Sequence, residues 1–217
     1  MVRKALSHKA AVLAAALFAG VAAGAQPEEP AGAAAVVQAI VWGLPMAPAD
    51  RTADLPADVQ PRLAEYRKRD QTFRTALKAA PNESPEERSL FEKRVRIERV
   101  IFCLFPRRDS ARMAAAYASD AEIAYEWEGL SEPPRREAAF VDALLRDLPQ
   151  PWLAPYLHLI AGHRKLCASQ LEGPETPGQR DAMAADARRQ LARARDGGHP
   201  LIRVAADYVL IAGRCLE

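Results

Sequence analysis

His163 and Cys167 stand four residues apart, the spacing that puts two side chains on one face of a helix. An imidazole and a thiol placed that way could form half of a zinc or copper site, with His199 brought in across a loop as a third ligand. They could also form a thiol beside its base. A closed structural metal site needs four ligands, however, and the chain contains neither CxxC nor HExxH. The plainer reading is a half-buried histidine next to a structural cysteine, and no cofactor is expected. Cys103, Cys167 and Cys215 make an odd count. In an oxidising compartment the simplest arrangement is one disulfide plus one buried thiol. Cys167 with Cys215, on two helical segments near the C-terminus, is the preferred pair; three buried thiols are the alternative.

Glu122 and Glu126 repeat the four-residue spacing, with Asp120 and Glu128 nearby and Tyr117, Tyr125 and Trp127 around them. Two such carboxylates could serve as acid and base in cleaving an envelope polysaccharide, and the aromatic rings would suit a sugar. Against this, like charges on one helix face are usually solvated or met by arginine, and glycosidase carboxylates face each other across a cleft. The Arg-rich stretches at 67–69, 94–99 and 107–108 read as solvated helix faces paired with the many Asp and Glu residues. No Ser–His–Asp pattern, phosphate-cradling glycine loop or calcium loop is visible. Trp42, Trp127 and Trp152 each sit near a helix end or loop, where a tryptophan anchors a turn or, if exposed, a partner. Tyr117, Trp127, Trp152 and Tyr156 are the candidate binding residues.

The elements that must position these groups begin after residue 25. Arg3, Lys4 and Lys9, the apolar run Ala10 to Ala23 and the triplet Ala23-Gly24-Ala25 are the three parts of a secretory signal peptide. Cleavage after Ala25 is expected, because the run is shorter than the ~20 apolar residues of a spanning helix. The mature chain would then be exported, periplasmic or secreted, with no stable membrane insertion. Losing those three cations and no acid takes the formal charge from +2 to −1. A near-neutral balance without a recognisable binding module excludes a nucleic-acid role. Residues 26–56 read as a leader and Pro-rich connector, in which 33–44 fit either a short helix or a strand.

Residues 57–217 read as a single all-α domain of about seven helices, arranged as antiparallel hairpins in a bundle or short solenoid. Val59, Leu63, Tyr66, Phe73 and Leu77 form one helical stripe ending before Pro81. Asp70 falls on that stripe and marks solvent or a salt bridge. Ser84-Pro85-Glu86-Glu87 is a capping box opening a helix to Phe105, whose last turns from Val100 are apolar all round. Asp109 caps the next helix, which carries Met113, Tyr117, Ala121 and Ala124 and ends near Gly129. Ser131 to Pro134 break the chain before a helix over 135–148 with Ala139, Leu144 and Leu148. A further helix runs from Trp152 to Glu172, stopped by Gly173. Thr176-Pro177-Gly178-Gln179 is a second capping box, opening a helix to Asp196 that Gly197-Gly198 stop. Pro200 opens the last helix.

Ala187, Leu191, Ala194 and Pro200, together with Glu137-Ala138-Ala139 and Leu144-Leu145, resemble the second helix of tetratricopeptide hairpins, over residues 133–213. Pro200 stands one residue late, the first-helix tryptophan–leucine–glycine–tyrosine signature is out of register, and no thirty-four-residue period runs through the chain. The resemblance implies a groove that receives a protein or peptide. The expectation is therefore a non-catalytic exported interaction protein with a partner in the cell envelope.

Overall fold

The computed structural model describes residues 31–76, 85–121, 127–147 and 151–216. Eight α-helices succeed one another among them: α1 (Ala31–Val41), α2 (Gln60–Ala76), α3 (Pro85–Leu104), α4 (Ser110–Asp120), α5 (Glu132–Asp147), α6 (Ala154–Gln170), α7 (Pro177–Asp196) and α8 (Pro200–Ala212). Tight 3-10 turns lie at Asp50–Thr52 and Pro151–Leu153. The described residues contain no strand, only an isolated bridge between Leu130 and Glu172. The chain is all-α, and its described residues hold one helix more than the seven expected. The expected signal peptide, the Ser84 cap and Glu122 and Glu126 lie outside the described residues.

The additional helix is α1. Its β-branched Val36, Val37 and Ile40 fit a strand as well as a helix from sequence alone, and tertiary packing decides: all three are buried, against α8 and α6. The Gly32 amide near its start donates to Asp54 Oδ2 at 3.2 Å, an acceptor supplied from 22 residues away. The expected boundary at 56/57 is therefore corrected. Residues 31–41 share one core with the later helices rather than preceding it as a leader.

Proline and capping chemistry set most of the other starts. Thr176 Oγ1 accepts from the Gln179 amide at 3.3 Å while Gln179 Oε1 accepts from the Thr176 amide at 2.8 Å, the reciprocal box expected for α7. Pro133 and Pro134 do not break the chain as expected; they fill the first turn of α5, where a missing N–H leaves no hydrogen bond unmade. The register of α5 also differs, since Ala138 and Val141 are buried and Ala139 is exposed. The fourth helix ends at Asp120, well before Gly129. Gly213 closes α8 in the left-handed conformation, φ 60°, and Cys215 lies beyond that helix rather than on it.

The central helix is α6, which is buried along nearly its whole length and packs on α7, α5, α8 and α1. Connections of a few residues fold α6, α7 and α8 into successive hairpins. Gly162 lets α6 and α7 close up. A Cβ there would lie 2.7 Å from Leu191 Cγ and 3.1 Å from the Ala187 carbonyl oxygen. Ala187, Leu191 and Ala194 are the α7 residues that seal this seam. On the other side, α2 packs on α3. Arg69 of α2 donates to the carbonyls of Phe102 at 2.7 Å and Phe105 at 3.1 Å, satisfying the C-terminal end of α3. Asp70, the acid on the stripe, pairs with Arg74 at 2.9 Å and Arg99 at 3.2 Å. No helix among the described residues is long and apolar enough to cross a membrane.

Candidate functional site

Two places gather the residues whose chemistry the sequence marks. The first is internal and centred on α6. Its run His163-Arg164-Lys165 is charged or polar, yet all three are buried. Arg164 Nε donates to Glu137 Oε2 of α5 at 2.6 Å, and both partners are almost wholly out of solvent. The guanidinium also lies over the rings of Trp42, at 4.6 Å, and Trp127, at 5.0 Å. Trp127 Nε1 donates to the other Glu137 oxygen at 3.4 Å. Trp42 and Trp127 are 5.1 Å apart, and Trp42 meets the edge of His163 at 5.4 Å. A guanidinium has only donors, so Arg164 Nη1 donates to His163 Nδ1 at 2.9 Å. That fixes the proton on Nε2. Burial, and then the neighbouring Arg164 cation, hold the His163 pKa well below its ordinary range, so the imidazole is neutral. Lys165, one residue on, pairs with Asp142 at 2.7 Å and with Asp186, tying α6 to α5 and α7.

Cys167 is bonded to Cys215, and Cys103 is a free buried thiol. Burial pushes the Cys103 thiol up to about 12, so it stays protonated. The disulfide corrects the chemistry allowed to His163 and Cys167. The sulfur lies 3.9 Å from both ring nitrogens, as the helical spacing requires, but a disulfide sulfur has no proton to give and no thiolate to bind metal. His199 does not join them. It stands beside Pro155 at the start of α6, with Nε2 donating to the Leu104 carbonyl at 2.9 Å, about two helical turns (~12 Å of rise) from His163. Among the described residues no group of three or more His, Cys, Asp or Glu could hold a metal ion.

The candidate binding residues divide between the two places. Trp127 and Tyr156 are buried and Tyr117 is half-buried; all three surround the Arg164–Glu137 pair. Burial raises the pKa of both tyrosines. These aromatic side chains are committed to the interior, which corrects their assignment as a contact surface. Trp152 is different. It lines an open pocket of about 310 Å³ between α2, the end of α3, the start of α6 and the α7–α8 turn. Its wall is Phe105, whose ring is 4.9 Å from Trp152 and 5.6 Å from His199. Pro106, Pro155 and Pro200 line it with them, and Arg62 and Glu65 are its charged members. Arg107 lies 5.0 Å over the Trp152 ring. The α7–α8 turn passes close to α6 because residue 197 is glycine: a Cβ there would meet Pro155 Cγ at 2.6 Å.

Sequence reasoning missed Arg164, Glu137, Phe105 and Cys103 as site residues. The available signal was a charged pair, Arg164 and Glu137, at positions that continue the apolar stripes of their helices. Set beside known proteins, the chain matches no family, no curated sequence and no solved structure.

Proposed function

We propose that the protein is an exported, non-catalytic helical interaction protein that receives a protein or peptide partner of the cell envelope in the Trp152 pocket. The pocket carries this reading: it is open, walled by aromatic and proline side chains, flanked by charge, and at about 310 Å³ sized for one or two side chains of a partner. The oxidised Cys167–Cys215 pair supports an oxidising compartment, in keeping with the signal-peptide pattern of residues 1–25. The succession of hairpins from α5 to α8, with Gly162 closing the α6–α7 seam, supports the tetratricopeptide-like reading of residues 133–213.

The test is affinity purification of the tagged protein from the envelope fraction of its native host. The proposal expects a stoichiometric partner with the wild type. That partner should be lost with Trp152→Ala and with Pro106→Glu, which puts a charge on the pocket wall from an exposed position. Retention of the same partner by both folded variants would rule the pocket out.

A further inference from the structure

Beyond Gly213 the chain turns back over the end of α6 and is held there at several points. Gln170 Nε2 donates to the Gly213 carbonyl at 2.8 Å, and Gln170 Oε1 accepts from the Cys215 amide at 2.6 Å. Cys215 is bonded to Cys167. The Leu216 carbonyl accepts from Trp42 Nε1 at 2.9 Å, and the Leu216 backbone also hydrogen-bonds His163. The Leu216 side chain packs on the core. Residues 213–216 are thus a strap reaching from the last turn of α6 to the tryptophan that stacks on Arg164.

The two sulfurs of the strap are unequal. Cys167 is completely buried, whereas Cys215 is half-exposed. An attacking thiolate needs access along the S–S axis, so only Cys215 can be reached from solvent. The hydrogen bonds named here are single ones that water can replace, and Leu216 is the strap's side chain in the core.

We propose that residues 213–216 are a redox-released cover over the Trp42–Trp127–Arg164 cluster, opened by a dithiol reductant. One thiolate of the dithiol attacks Cys215 Sγ, the Cys215–Cys167 bond breaks, and the electron pair leaves on Cys167. The second thiol then displaces Cys215 from the mixed disulfide. The dithiol is oxidised to its disulfide, and its two protons end on Cys167 and Cys215. Trp42 Nε1 and His163 then lose the Leu216 backbone as a fixed partner, and the Trp42 face is open to solvent.

The experiment is hydrogen exchange and peptide mapping on the full chain, oxidised and after treatment with dithiothreitol. The expected result is faster exchange of the Trp42 indole N–H and the 215–216 amides, by about tenfold or more on losing a cross-link. Protection in α6 and α7 should be unchanged. The Cys215→Ala variant should show the same pattern without reductant. Glutathione added in place of the dithiol, with acid quenching, should be found on Cys215. Unchanged exchange at Trp42 after reduction would overturn the proposal, as would loss of protection in α6 and α7 together with the strap. A glutathione adduct on Cys167 would overturn the order of attack.

Discussion

Glu137→Gln should be among the most damaging single substitutions in the chain, although it changes neither shape nor volume. Glu137 Oε2 is the anionic partner of Arg164, 2.6 Å away, and both side chains are buried. Removing one partner of such a pair strands the other charge, at a cost of about 3–5 kcal/mol. The stacking of the guanidinium on Trp42 and Trp127 survives and limits the damage by ~0.5–2 kcal/mol. Arg164→Met instead deprives the buried Glu137 carboxylate of its guanidinium, while Trp127 Nε1 still reaches it at 3.4 Å, and should cost a similar amount. The pair of substitutions together removes both charges and fills the space with apolar volume. It should recover most of the loss, giving a coupling energy of roughly 3 kcal/mol or more. Urea unfolding of wild type, both single variants and the double variant measures all four corners of the cycle. Additive losses, or a Glu137→Gln loss below about 1 kcal/mol, would refute the claim that this buried pair is tightly coupled.

Acid should weaken the fold through its histidines. His158, His163 and His199 all have pKa values lowered from 6.5, with burial the first cause in each case. The unfolded chain therefore binds these protons first, so their contribution is complete above about pH 6.5 and falls away as pH drops below it, by up to ~1.4 kcal/mol per pH unit for the fully buried His163 and by less for His199 and the half-solvated His158. His163→Gln keeps an acceptor for Arg164 and a donor for Leu216, and it should make the unfolding midpoint less sensitive to pH between 6.5 and 5; an unchanged slope would count against a buried neutral imidazole. Gly162→Val forces side-chain atoms into Leu191 and the Ala187 carbonyl, and thermal denaturation should show a loss of about 1–3 kcal/mol or more, where no loss would mean the α6–α7 seam is looser than described. Cys103, held up to about 12, should resist a thiol-reactive dye at pH 8 until urea unfolds the chain; rapid labelling of the native protein would show the thiol to be open.

The helices were legible where local chemistry punctuates them. Thr176, Pro177 and Gln179 specify the start of α7 by hydrogen bonds among neighbours, and Gly213 ends α8 by its own backbone freedom. The all-α class followed from those signals. The first helix was not legible as part of the core, because Val36, Val37 and Ile40 suit two secondary structures and only contact with α8 selects one. The internal site was hidden for a different reason. Arg164 and Lys165 carry no local sign of burial, and what buries them with His163 are partners far away in sequence: Glu137 and Asp142 on α5, Asp186 on α7, and Trp42 after α1. The same distance effect turned Trp127 and Tyr156 from apparent contact residues into interior ones. Trp152 is half-buried and still lines the pocket because it sits in the turn before α6, at the edge where four elements leave a gap.

Site-specific photo-crosslinking in the native host decides whether the Trp152 pocket is where a partner is held. A benzophenone amino acid would replace exposed Arg62 at the pocket and, as a control, exposed Arg189 on α7. One discrete adduct with an envelope protein is expected from position 62 and none from position 189. No adduct at either position, or the same adducts at both, would contradict it.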